Sequence, residues 1–395
     1  MTMNPSSRPP RIAVVTFSAG DGGNDKMLVH LAQGLSEQGC AVDFITRTMT
    51  APYLDRLPMQ VRRLVIHEAS HRDRTRSLGR YVAENAPDVV LSGKRSDREV
   101  LEAVRLVKTN TRVFIRVGIN LSARYDHRSK LIGWWHLRPL RRLLPQADGI
   151  LAVSRGVAQD LLRLFKIPSE KIHVVPNPVV TPKMLSEMPP VPSHRFYASS
   201  PEVPVVVGMG GLRKAKDFPT LLKAFAIVVQ TRPARLLILG RGHLRDKLMA
   251  LARSLNIAPW TDFPGFVESP YSYLAHAQLF VLSSLWEGSP NVLIEALAMG
   301  TPVVATDCPS GPREILQDGR YGRLVPCGNP HAMAQAMLKS LENPPQPSFL
   351  KEAVTRYTFA ASTHEYLRAF GLLAKVPAKR PCATQDSSGI LERNP

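Results

Sequence analysis

Between residues 287 and 295 the chain reads EGSPNVLIE, two carboxylates bracketing a Gly-Ser-Pro-Asn turn and the apolar opening of a helix. A glutamate near a helix N-terminus is often only a complement to the helix dipole, so its neighbours must decide. Pro290 suits a first helical turn, which leaves free amides from about Gly288 to Val292, those of Ser289 and Asn291 included, facing outward as an anion cradle. Glu295 falls four residues after Asn291, on the same helix face. A carboxylate there can accept paired hydrogen bonds from vicinal hydroxyls. Glu287 follows the apolar run LFVLSS (279–284) and so sits at the carboxyl end of a strand, where open α/β sheets bind ligands. Amides for phosphate, one acid for a ribose and one for a second polyol are together the polar demands of a sugar nucleotide.

Two further glycine-rich segments can meet an anion. In SAGDGGND (18–25), Gly22 and Gly23 let backbone amides approach a phosphate at a helix start. The segment lacks both GxGxxG and GK[ST] spacing, and a plain tight turn stays open as its reading. GGLRKAKDF (210–218) follows a strand and precedes a helix. Its Arg213 can grip two oxygens of a diphosphate, and Lys214 and Lys216 act as point charges. Basic groups at a helix N-terminus oppose the dipole, so their clustering there asks for a functional reason.

The elements that must position these groups alternate regularly. RIAVVTFS (11–18), the helical KMLVHLAQGLSEQG (26–39) and CAVDFITR (40–47) form a strand, loop, helix, strand unit, the opening of a doubly wound domain. PDVVLSG (87–93), TRVFIRVG (111–118) and ADGILAVS (147–154) continue it. A Pro- and Ser-rich stretch without period, 181–202, reads as a linker. Strand and helix patterns restart at VPVVVGMGG (203–211) and run through RLLILGRG (235–242), LFVLSS and TPVVATD (301–307). Their nearly continuous apolar strands suit a parallel sheet covered on both faces. The expected organisation is a first domain over 11–180, a linker, a second domain over 203–346 and a long C-terminal helix within 347–375 that caps the second domain or crosses back to the first. Residues 1–10 and 376–395 are polar, Pro-rich and expected to be disordered.

At 395 residues the chain exceeds what one core usually serves, consistent with two domains. Its formal charge of +19 is uneven: residues 1–200 hold 30 Lys and Arg against 17 Asp and Glu, the rest 21 against 15. That excess favours an anionic partner, whether nucleic acid, anionic lipid or a phosphorylated small molecule. In the basic stretch HRDRTRSLGRY (71–81) aromatic residues interleaved with the charges, as base stacking requires, are sparse, so it reads as a solvated face rather than a nucleic-acid site. Cys40, Cys308, Cys327 and Cys382 are scattered without metal or disulfide spacing and fit a reduced, cytoplasmic setting. No stretch approaches ~18 apolar residues, and no secretory leader is apparent.

These motifs carry a resemblance. EGSPNVLIEALAMGTPVVATDCPSGPREIL, with DGGND, GGLRKAKDFPTLLKAFA, LGRGHLRDKL and FPGFV, resembles glycosyltransferase family 4, over about residues 11–375. The resemblance implies a GT-B fold, two Rossmann-like domains facing a central cleft, and a retaining transfer of a hexose or N-acetylhexosamine from a nucleotide sugar, a UDP-sugar in the members that use this block, to a glycan or lipid-linked glycan in polysaccharide and cell-envelope assembly. Carried over residue by residue, Glu295 binds the ribose, and Glu287 with Ser289, Asn291 and Val292 holds the donor sugar and diphosphate. Arg213 and Lys216 neutralise the leaving group, and Gly22 and Gly23 close over it. No metal or other cofactor is expected. Two positions depart from the pattern: Gly211 stands where relatives have an arginine, and Gly118, in RVGINLS, where they have a histidine. Two other readings stay open, a nucleotide-sugar epimerase and a non-catalytic basic adaptor that keeps the fold. SKLIGWWHLRPLRRLLPQ (129–146) interleaves Trp134, Trp135 and leucines with Arg138, Arg141 and Arg142. It reads either as an interfacial helix that meets anionic headgroups, placing the protein on the inner face of the cytoplasmic membrane, or as a packed helix with a solvated basic side.

Overall fold

The computed structural model describes residues 8–17, 22–48, 50, 53–94, 96–126, 130–198, 202–267 and 269–375, with backbone alone at 126, 130–134 and 375. Two wholly parallel sheets organise it. The first contains β1 (Arg11–Thr16), β2 (Ala41–Thr46), β3 (Arg62–Val65), β4 (Val89–Lys94), β5 (Arg112–Val117), β6 (Gly149–Ala152) and β7 (Ile172–Val174), in the spatial order 3-2-1-4-5-6-7. The second contains β8 (Val205–Met209), β9 (Arg235–Leu239), β10 (Thr261–Gly265), β11 (Leu279–Leu282), β12 (Val303–Thr306) and β13 (Arg323–Val325), in the order 10-9-8-11-12-13. This is the two-domain, doubly wound GT-B architecture.

The continuous apolar strands behave as a sheet buried on both sides must. Successive β1 residues alternate faces: Ala13 and Val15 enter one apolar layer, Ile12 and Val14 the opposite one. In β8, Val205 and Val207 face one layer and Val206 the other. Each such fully buried aliphatic side chain contributes roughly 1.5–3 kcal/mol before chain entropy is counted. β1 is pinned on both edges, with Ile12 opposite Val42 of β2 and Val89 of β4.

In each sheet the strand order reverses once, between β1 and β4 and between β8 and β11. That reversal splays the connecting loops and leaves a crevice at the strands' carboxyl ends. The loops after β1, β8 and β11 carry the glycine and glutamate motifs read above.

Several expectations need correction. Residues 8–10 are not loose: the Ala41 amide donates to the Pro10 carbonyl at 3.0 Å, and the Arg8 guanidinium to the Ala86 carbonyl. Residues 1–7 and 376–395 lie outside the described residues. The linker packs against the second domain, with Met184 and Phe196 in its core. The long C-terminal helical pattern is divided into Pro347–Glu352, the short turn Thr355–Tyr357 and Phe359–Ala369. Thr358 makes the division: its extended backbone breaks the helix, and its hydroxyl accepts the Ala361 amide as an N-cap. The last of these helices returns to the first domain, where Tyr366 and Phe370 join the core beside Leu31 and Leu35.

Candidate functional site

The carboxyl ends of the two sheets face each other across a cavity of about 370 Å³. Gly22, Gly23, Arg213, Lys216, Glu287, Asn291, Val292 and Glu295 line it together with Lys26, Tyr53, Arg241 and Trp286. All of the anticipated residues except Ser289 therefore meet in one place. Ser289 is turned away from this lining, and its hydroxyl is buried without a hydrogen-bond partner.

The Asn291–Ala298 helix starts one residue later than the sequence reading has it. Pro290 is the N-cap rather than the first helical residue, and its carbonyl accepts from the Leu293 amide at 3.0 Å. The cradle is thereby reduced to the first-turn amides of Asn291 and Val292. Glu295, only 4% exposed, sits one turn inside. Its Oε1 accepts from Lys26 Nζ at 2.6 Å, across the cleft from the Gly23–Glu37 helix of the first domain. The Lys26 ammonium also lies 4.5 Å from the centre of the Tyr271 ring. Burial works to lower the lysine's pKa, but Glu295 and Tyr271 outweigh it and the net shift is upward. The ammonium is therefore charged throughout the physiological range.

Glu287 is held in the same way. Lys216 Nζ reaches its Oε1 at 2.5 Å and the Ser284 hydroxyl donates to the same oxygen at 2.7 Å. Lys216 thus faces an acid where the sequence reading has it on a diphosphate. Oε2 of neither carboxylate takes a hydrogen bond from the described residues, so each acid keeps one oxygen for a ligand hydroxyl. Arg213 is exposed on the rim and has no acid within ion-pairing reach among the described residues. It occupies the space beside Gly211: a Cβ built there would lie 3.3 Å from Arg213 Nε.

Glycine is obligatory where the loops meet. At Gly240 φ is +131°, and a Cβ would fall 2.0 Å from the Gly210 carbonyl oxygen. At Gly288 a Cβ would fall 2.2 Å from the Gly118 carbonyl oxygen, because the two domains touch backbone to backbone there. The same seam is closed by the Asn120 amide donating to the Glu287 carbonyl at 3.1 Å and the Ser154 hydroxyl to the Gly288 carbonyl at 2.8 Å.

A larger hollow of about 650 Å³ opens between the domains around Arg155, Arg313 and Arg356. Two of these arginines are already paired, Arg313 with Asp307 and Asp318 and Arg356 with Glu314. Helix starts at Arg155 and Gly311 border it, but the Arg155 amide is already bonded to Glu314 Oε2 at 2.8 Å, and the hollow holds neither the paired glutamates nor the Gly22–Gly23 loop, so the smaller cavity is the better candidate. Among the described residues there is no cluster of three His, Cys, Asp or Glu able to hold a metal ion, and no helix long and apolar enough to cross a membrane.

Two family models divide the chain along these domains: Glycosyltransferase Family 4 matches residues 22–182 and Glycosyl transferases group 1 matches residues 203–343. The chain belongs to glycosyltransferase family 4. Among similar proteins of that kind, a Campylobacter jejuni enzyme named N-acetylgalactosamine-N,N'-diacetylbacillosaminyl-diphospho-undecaprenol 4-alpha-N-acetylgalactosaminyltransferase is 33% identical over 51% of this chain and 53% of its own length. A Salmonella typhimurium lipopolysaccharide 1,6-galactosyltransferase is 30% identical over 46% of this chain and 49% of its own. The matches thus span about half the length of these curated relatives. A solved structure of Anabaena HepE in complex with UDP-glucose superposes over 92% of this chain and 100% of its own, with a TM-score of 0.75 at 17% identity, a likeness of fold.

Sequence reasoning missed Lys26, Tyr53, Arg241 and Trp286 in the lining, and Arg116 and Asn177, which are bonded to it through Asn291. Lys26 had a signal, since it is a charge directly before the apolar run MLV of the Gly23–Glu37 helix. Arg116 had one too, as a charge inside the apolar strand FIRVG. Asn177, between prolines in VVPNPVV, is revealed only by its partners.

Proposed function

We propose that this chain is a retaining glycosyltransferase that moves a hexose or N-acetylhexosamine from a nucleotide sugar, UDP-linked, to a glycan or lipid-linked glycan acceptor in polysaccharide and envelope assembly. One observation carries the reading: two lysine-paired glutamates, each with a free oxygen, open into one cavity beside the free amides of Asn291 and Val292 and the guanidinium of Arg213.

In this reading Glu295 Oε2 accepts from the ribose hydroxyls and Glu287 Oε2 from the transferred sugar. The amides and Arg213 hold the diphosphate, with Gly22 and Gly23 approaching it from the opposite wall. The bond from the sugar's anomeric carbon to the diphosphate breaks as the acceptor oxygen bonds to that carbon on the same face. The acceptor proton passes to the departing phosphate oxygen, so no side-chain base is needed. The charge developing on that phosphate is what fixed donors stabilise best. Arg213 and the helix amides take this role without a metal ion. Exposed Trp135, Arg141 and Arg142 on the Lys130–Leu143 helix would rest on the anionic inner face of the cytoplasmic membrane, where a lipid-linked acceptor is presented.

The test is a panel of UDP-, GDP- and ADP-sugars offered with chelator present, read as slow donor hydrolysis and as binding. Nucleotide release with one donor sugar is the expected result. Neither release nor binding with any donor would sink the proposal and favour a non-catalytic role.

A further inference from the structure

Arg116 is a charged side chain in the middle of a buried sheet, 8% exposed, with no acid within ion-pairing reach among the described residues. Its Nε is buried without a partner. Burying a guanidinium against neutral groups alone is costly, and a strand position of this kind would ordinarily be apolar.

Its two other nitrogens are both engaged. Nη1 donates to Asn24 Oδ1, and Nη2 donates to Asn177 Oδ1 at 2.8 Å. Asn177 Nδ2 then donates to Asn291 Oδ1 at 2.8 Å, and Asn291 Nδ2 donates to the Gly23 carbonyl at 3.0 Å. Gly23 and Asn24 share a peptide bond, so the chain of contacts closes on itself.

The ring has a direction. An amide side chain can present either its oxygen or its nitrogen to a neighbour, whereas a guanidinium can only donate. Arg116 therefore fixes Asn177 oxygen-inward, which leaves the Asn177 nitrogen to face Asn291 and turns the Asn291 nitrogen onto Gly23. With that bond the second domain's cradle helix is tied to the first domain's glycine loop, and a carbonyl that would oppose an incoming phosphate is capped.

Gly118 makes the arrangement possible. A Cβ built there would lie 2.9 Å from Arg116 Nη1, so the guanidinium fills the space into which a side chain at residue 118 would project.

We propose that Arg116 is a positioning residue that orients the ring Arg116–Asn24–Gly23–Asn291–Asn177 and thereby latches the two walls of the cavity together around the donor. The inference rests on the reading of that cavity as the nucleotide-sugar site. Asn291 serves it with its side chain as a latch and with its amide as an anion donor.

Donor KM and kcat are to be measured, with the UDP-sugar that the panel identifies, for wild type, Arg116→Met, Asn291→Ala, their double variant and Asn177→Asp. Melting temperature is recorded for each. Arg116 and Asn291 do not bond to each other, yet a ring predicts that either change alone raises donor KM about tenfold and that the double variant adds little. Multiplying KM effects would overturn the proposal. Asn177→Asp covers the case in which Arg116→Met fails to fold: aspartate pairs well with Arg116 but cannot donate to Asn291. It should raise KM without lowering the melting temperature, and a wild-type KM in this variant would also overturn the latch. Should wild type itself turn over no donor, the proposed function fails but the ring can still be read by amide hydrogen exchange over residues 24–26 and 291–292. Faster exchange there in Asn177→Asp supports the latch, and unchanged exchange rejects it.

Discussion

Lys26 of the first domain and Glu295 of the second meet at 2.6 Å inside the cleft, both nearly buried, 269 residues apart in sequence. Breaking a buried pair by removing one member strands the other charge and costs ~3–5 kcal/mol, whereas removing both costs much less. Lys26→Met should therefore lower the unfolding free energy by about 3–5 kcal/mol, and the further change Glu295→Gln should restore most of it. Denaturant titration of both variants decides this. A loss under about 1 kcal/mol in Lys26→Met would show that the pair does not couple the domains.

Arg213 is on the rim, unpaired by any acid of the described residues, so its removal leaves no stranded partner. Arg213→Ala should cut kcat by ~10²–10³, the usual consequence of losing one fixed donor to a developing anion, with little change in melting temperature. Lys216→Ala should show both effects, because Glu287 loses its cation as well. Near-normal turnover in both variants would remove the diphosphate assignment.

The family resemblance implies a histidine at the position of Gly118, and introducing one should harm rather than help. The new side chain would need the space of the Arg116 guanidinium. Gly118→His is expected to raise donor KM, and an improved kcat/KM would contradict the packing described for Arg116.

His30 lies against the segment joining the domains, its Nδ1 donating to the Pro178 carbonyl at 3.1 Å and its ring 4.8 Å from that of Phe359. Burial, helped by the nearby Lys26 charge and opposed by the Pro178 carbonyl, brings its pKa down to about 3 from 6.5. Between those values the unfolded chain binds a proton that the folded chain does not, so stability falls as pH drops from 6.5 toward 3, by up to about 1.4 kcal/mol per pH unit. The unfolding free energy of His30→Gln should depend less steeply on pH by one proton in that window. Identical slopes would show that His30 is not buried neutral.

On the Lys130–Leu143 helix, Trp135 is 63% exposed and its ring lies 5.7 Å from the Arg138 guanidinium; Arg141 and Arg142 face solvent. Replacing Trp135, Arg141 and Arg142 together by Ser should reduce co-sedimentation with anionic vesicles while leaving neutral vesicles unaffected. Equal pelleting of wild type and variant would dismiss the membrane contact. The side chain of Trp134 lies outside the described residues.

The regular elements were legible where the pattern was strong. Strands such as 11–16, 235–239 and 279–282 are apolar runs that no helix period explains. β3 (RRLV) and β13 (RLV) hold only two apolar residues each and stay partly accessible, so edge pairing rather than composition makes them strands. The acids and the glycine loops were legible because each sits at a strand-to-helix junction. Their partners were not, since Lys26, Arg116 and Asn177 act on residues 61 to 269 positions away. Ser289 shows the converse: spacing put it in the cradle, but close packing of the Gly311 region on the Pro290 turn fixes that segment against its own domain.

The chain passes between the domains twice, near Val180 and again near Thr358, and the two passages run side by side. The amides of Val179 and Val180 donate to the Tyr357 carbonyl at 3.0 Å, and the Phe359 amide returns the bond to Val180 at 3.2 Å. Two bodies joined by one flexible strand can swivel about any direction, but a pair of strands bonded to each other admits only bending across their common line. Any opening of this cleft is expected to turn about a single axis through this hydrogen-bonded pair, which a point substitution such as Val180→Pro, removing one of its amides, would loosen.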